Sequence, residues 1–218
     1  RSHCDWSSDV CSSDLIYDPL GQVAPARLSC KLLQREISPP KYQDPHNLQG
    51  LGWDDAIPQQ FHRQWDDMLK TVQEVQEITT PLSFYSPGNG KPAHQHLYGF
   101  ADASDLAICY VIYLRTVTEN GHVDVAFVTG NSKVIERGVS VKGKLSIPRA
   151  ELCAADALAM AMLQVKTDLD DDIKATYYSD NRDVLGWIGS DITAPPRYIT
   201  IRRDRIRPVS SPDRKSVV

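Results

Sequence analysis

Three acidic residues carry side chains suited to hard cations and sit where regular elements begin or end. Asp102 closes a β-rich stretch in FADAS, Glu151 falls in the first turn of an alanine-rich helical stretch in IPRAELCAA, and Asp180 ends another β-rich stretch in YYSDN. If the two strands are neighbours in one sheet, their ends meet, and the helix packs across with Glu151 facing the same point. Converging carboxylates repel, so such a cluster is stable mainly around a cation. Oxygen ligands with no soft partner suit magnesium or manganese. A pair of such ions activates a water and stabilises a leaving oxygen, as phosphodiester cleavage requires. Each acid also has a plain structural reading. Asp102 fits a turn, Glu151 a partner of the helix dipole, and Asp180 or Asp183 a cap for the helix that follows.

The elements that must position these acids are legible as changes of period. PARLSCKLLQREI spaces its leucines helically behind Pro25, after a DPLG turn. A loop rich in Pro, Gly, Asp and Asn leads to a second helix over 58–78, with Phe61, Trp65, Met68, Leu69, Val72 and Val75 on one face. SPGNGKPAHQH reads as a linker closing near residue 94. Strands follow in HLYGFADAS, AICYVIYLRTV and HVDVAFVTGNSK, the last two joined by an ENG turn, so an antiparallel meander is expected. After a Gly- and Lys-bearing loop, IPRAELCAADALAMAMLQV is the strongest helix, with Pro148 at a permitted first-turn position. DIKATYYSD is a fourth strand, which a long preceding helix places parallel in the sheet. RDVLGWIGSD and the arginine-rich PPRYITIRRDRIRPV complete the pattern as helices.

The chain has 218 residues and a net charge of −4, so charge alone does not announce a nucleic-acid partner. No run reaches transmembrane length and no signal peptide is visible. Five cysteines without metal spacing favour reduced thiols and an intracellular setting. Both ends depart from the rest. DWSSDVCSSDL within residues 1–15 and DRKSVV over 213–218 resemble translated sequencing-library adapters. Both are expected to be disordered and to pack on nothing, which leaves Cys30, Cys109 and Cys153 to the protein proper.

Other residues have two readings each. His94 and His96 share a strand face as an H-x-H pair, a metal spacing, but sit at a linker edge where a surface pair is the simpler account. Cys153 fits a small buried position on the alanine-rich helix, and Trp187 fits packing beneath the helix that carries it. Arg197, Arg202, Arg203, Arg205 and Arg207 suit either phosphate contacts or a solvated helix face. Lys142 and Lys144 lie in the loop before Glu151, where a substrate backbone can pass.

The order FADAS, IPRAELCAA, YYSDNRDVLGWI resembles the ribonuclease H domain of retroelement polyproteins. IYDPLGQVAPARL, the LGWDD loop and SIPRAELCAA are more specifically similar to the BEL/Pao class of LTR retrotransposons. The resemblance implies an α/β, ribonuclease H-like mixed sheet of three antiparallel strands plus one parallel strand, with flanking helices, preceded by a small helical segment. It implies the end of reverse transcriptase over 16–93 and a ribonuclease H-like domain over 94–212, truncated at its C-terminal end. Asp102, Glu151 and Asp180 then match three of four metal-binding carboxylates, holding Mg2+ or Mn2+. The fourth is expected beyond the basic helix, where the chain leaves the family pattern. The implied reaction is hydrolysis of the RNA strand of an RNA–DNA hybrid, with Lys142, Lys144, Arg202 and Arg203 contacting nucleic acid. The implied partner in the polyprotein is the rest of reverse transcriptase, and the implied setting is a cytoplasmic virus-like particle. A catalytically dead module that binds hybrid or supports reverse transcriptase is the alternative. No Tyr-x-Asp-Asp motif and no Asp-Thr-Gly or Asp-Ser-Gly loop occurs, so polymerase and aspartic peptidase chemistry are not expected in this chain.

Overall fold

A computed structural model describes residues 17–37, 55–75, 79–81, 83–135, 146–189 and 195–210. Both adapter-like ends, and Lys142 and Lys144, lie outside the described residues. The chain divides into two compact units, residues 1–80 and 81–218.

The first unit holds two helices, α1 (Ala24–Ile37) and α2 (His62–Val75). The Asp18 carboxylate starts α1 by accepting the Gln22 and Val23 N–H groups at 2.8 and 3.0 Å. It holds the turn that leads directly into the helix. Leu33 and Ile37 pack with Phe61 and Met68 in a small core that also takes in Trp65. The expected apolar face of α2 is narrower than its sequence suggests, because Leu69 is 42% exposed.

The second unit is built on a sheet of four strands, β1 (Pro92–Ala103), β2 (Ala107–Thr118), β3 (Val123–Val134) and β4 (Lys174–Tyr178). Their order is β3-β2-β1-β4. β1–β2 and β2–β3 are antiparallel hairpins, and β4 lies parallel to β1, with Leu97 opposite Ala175 and Phe100 opposite Tyr178. The ENG turn forms as expected, Gly121 taking a φ of +80° that favours glycine. β1 starts earlier than expected: Pro92 pairs with Thr118 and His94 with Val117, so the end of the presumed linker is strand.

The 23-residue helix α3 (Ile147–Leu169) crosses from β3 to β4 and covers one face of the sheet. Leu158, Met162 and Val165 meet Leu97, Ala101, Ile112, Leu114 and Val128 there. The flank of α3 bearing Leu152, Ala155 and Ala159 packs on Val184 of α4 (Arg182–Gly189) and on Ile199 and Ile206 of α5 (Arg197–Val209). Trp187 joins that cluster half-buried, so its packing expectation holds. Aromatic rings run strand to strand on the sheet: Tyr178 stacks on Phe100 at 4.9 Å, and Phe100, Tyr113 and Phe127 meet edge to face at 6.3 and 6.0 Å.

Candidate metal centre

Asp102 lies on β1 near its C-terminal end, and its partner across the hairpin is Cys109. The β1–β2 turn does not need the Asp102 carboxylate. Ser104 makes that turn, its hydroxyl accepting the Leu106 and Ala107 N–H groups at 3.1 and 3.2 Å. The turn reading of Asp102 therefore belongs to Ser104, and one Asp102 oxygen accepts the adjacent Ala103 N–H, at 2.7 Å.

Asp180 follows β4 by two residues. It does not cap α4, and neither does Asp183. Asn181 does, its Oδ1 accepting the Asp183 and Val184 N–H groups at 3.0 and 3.2 Å. Both β1 and β4 run toward the same edge because they are parallel neighbours, so Asp102 and Asp180 arrive together.

Glu151 is the fifth residue of α3, one turn further in than a residue that merely faces the helix N-terminus. It shares the sheet-facing side with Ala154 and Leu158 and is only 4% exposed. Its Oε2 is buried and has no hydrogen-bond partner. Burial, reinforced by the nearby Asp102 and Asp180 carboxylates, pushes its pKa up from 4.5 to about 7.

The three acids converge. One carboxylate oxygen from each of Asp102, Glu151 and Asp180 lies within 4.8 Å of the others. Two of the acids are exposed and one is buried, so the cluster opens to solvent on one side. All-oxygen donors, a like-charge cluster and an orphaned buried oxygen fit a magnesium or manganese ion. This is the grouping expected from the sequence.

The other singled-out residues are elsewhere. His96 sits within β1, its Nε2 2.8 Å from Thr176 Oγ1 and its ring stacked on Tyr98, remote from the acids along the strand. Burial, with Lys174 and Arg115 nearby, lowers its pKa. On α5, Arg202 lies 3.8 Å over the Tyr198 ring and donates to the Tyr198 carbonyl. Arg203 contacts the neighbouring Asp204, Arg205 pairs with Asp156 at 3.1 Å, and Arg207 donates to the Ile188 carbonyl. The α5 arginines thus divide their contacts between α3, α4 and α5 itself, and are not one solvated face. Cys153 is half-buried, as a packing residue would be, but bonds to Tyr198. Cys109, paired with Asp102 across the hairpin, and Asn181, the α4 cap beside Asp180, carry no motif of their own in the sequence and flank the cluster only through the hairpin register and the start of α4.

A mixed sheet of this order, crossed by one long helix, with acids gathered at the ends of β1 and β4, defines a ribonuclease H-like domain. Residues 10–181 match the family model described as Pao retrotransposon-like RNaseH-like domain, and the chain belongs to that family. The matched span contains Asp102, Glu151 and Asp180. Among solved structures, RNase H1 from the halophilic archaeon Halobacterium salinarum is similar at 18% identity and a TM-score of 0.31, over 54% of this chain and 76% of that one. No curated protein matches. Among the described residues, no helix is long and apolar enough to cross a membrane.

Proposed function

We propose that this domain hydrolyses the RNA strand of RNA–DNA hybrids, with Asp102, Glu151 and Asp180 holding the divalent cations that the reaction needs. The observation that carries this reading is the convergence of three carboxylates around a buried, unpartnered Glu151 oxygen. Membership in a Pao retrotransposon-like RNaseH-like family supports it. When bound, Mg2+ or Mn2+ supplies an activated water and charge stabilisation at the leaving oxygen. Asp102 and Asp180 present oxygens from the strand ends, and Glu151 presents one from the helix. Solvent reaches the cluster from its exposed side, where a scissile phosphate can also enter. In this reading residues 16–93 are the tail of the reverse transcriptase that precedes the domain in the polyprotein, and the setting is a virus-like particle.

The test uses the full chain, a hybrid with labelled RNA, and Mg2+ or Mn2+. Wild-type protein cleaves the RNA strand, whereas Asp102→Asn and Asp180→Asn do not. Metal-dependent cleavage retained in both variants overturns the assignment. Hybrid binding without any cleavage by wild type identifies a silent binding module instead.

A further inference from the structure

The first turns of α3 are held by a chain of contacts from α5 that centres on Tyr198. The Tyr198 hydroxyl donates to the Arg149 carbonyl at 3.2 Å, and Cys153 Sγ lies 2.7 Å from the same oxygen. With that hydroxyl proton directed at Arg149, the Cys153 thiol is the donor in the second contact. The guanidinium carbons of Arg149 and Arg202 lie 5.4 and 3.8 Å from the Tyr198 ring centroid, in cation–π range. Arg149 and Cys153 stand two residues before and two residues after Glu151. Tyr198 therefore grips α3 on both sides of the residue that must reach the acid cluster.

Leu152 at this end packs in the apolar cluster with α4 and α5, whereas the Tyr198 hydroxyl makes polar contacts on both sides of Glu151. Ser146 precedes α3 without a side-chain capping bond. The Arg205–Asp156 pair acts further along the helix. Rotation or lift of the first turn would carry the Glu151 carboxylate away from Asp102 and Asp180, because its donor set is met only at one helix orientation.

Resting on the metal-holding reading above, we propose that Tyr198 is a positioning residue. Its hydroxyl fixes the first turns of α3 so that Glu151 stays among the metal-holding carboxylates. Partners that orient metal ligands usually matter for affinity by about 10–100-fold.

The experiment measures Mn2+ binding to the full chain, by titration with detection of free Mn2+, alongside metal-free thermal unfolding. Tyr198→Phe keeps the ring and its cation–π contacts but removes both hydroxyl bonds. Ile206→Val loosens the apolar cluster that α3 shares with α4 and α5 without touching the Tyr198 hydroxyl, and serves as the stability control. Glu151→Gln reports the site itself. The expected result is Mn2+ affinity about tenfold weaker in Tyr198→Phe and unchanged in Ile206→Val, at similar losses of thermal stability. Tyr198→Phe binding within about twofold of wild type, or an equal loss in Ile206→Val, overturns the positioning role. Glu151→Gln binding like wild type, or no binding by wild type, overturns the metal reading and the inference with it.

Discussion

Gly99 of β1 lies directly beneath Leu158 of α3: a Cβ placed on Gly99 would come within 2.7 Å of Leu158 Cδ1 and of Met162 Cε. The helix can approach the sheet this closely only because that strand position has no side chain. The approach sets the height of α3 above β1, and hence the distance from Glu151 to Asp102.

Gly99→Ala should therefore destabilise the protein by about 1–3 kcal/mol, the usual cost of overpacking a dense core. Leu158 and Met162 are side-chain ends, so part of the clash relaxes by rotamer changes, which places the value toward the lower end. Gly99→Val should cost more. Urea unfolding checks both, and a neutral Gly99→Val would refute the close approach.

Asn181→Ala removes the acceptor for two α4 amides and should cost about 1 kcal/mol. Asn181→Asp keeps the cap and should be nearly neutral for folding. In chemical denaturation the two variants separate clearly if Asn181 is the cap. Equal behaviour would return that role to Asp180 or Asp183.

Much of this architecture was legible because the local signals agreed. Alternation of apolar residues in 107–118, a glycine turn at 119–121 and the length of the helix over 147–169 together dictate a meander and a parallel fourth strand. The parallel pairing of β1 and β4 then brings Asp102 and Asp180 together almost by necessity. Other features depend on contacts that sequence spacing does not encode. The strand extends back to Pro92 because Thr118 and Val117 are there to pair with it, against the loop-like composition of PGNGKP. The α5 arginines look like a solvated or phosphate-binding face, but Asp156, Ile188 and Tyr198 occupy several of them. Asn181 was hidden between two aspartates that are equally good caps.

Asp156 is a nearly buried carboxylate on α3 whose Oδ2 pairs with Arg205, while its Oδ1 has no partner. Burial raises its pKa despite the attraction of Arg205 and Arg202. Arg205→Met should destabilise by about 1–2 kcal/mol, discounted because Arg205 is half exposed. The loss should grow with rising pH, as the unpaired carboxyl is forced to ionise. Adding Asp156→Asn to Arg205→Met should recover much of it. A double variant no better than the single one would show that the pair is not the source.

Glu151 gives the sharpest pH dependence. In the metal-free fold its pKa is about 7, against 4.5 for a free side chain. Below the free value the group is neutral whether folded or unfolded, and it imposes no penalty. Between those values the unfolded chain ionises while the folded one resists, so stability falls as pH rises and levels off above about 7. The full difference is about 3 kcal/mol. In EDTA, wild-type protein should therefore melt several degrees lower at about pH 8 than at about pH 5, through this group. Glu151→Gln, neutral throughout, should lose most of that slope and melt higher than wild type at the alkaline end. Mn2+ should then reverse the order by stabilising wild type and leaving Glu151→Gln unmoved, since a bound ion relieves the repulsion that the amide never had. A metal-free slope identical in the two proteins would assign the pH dependence to other groups.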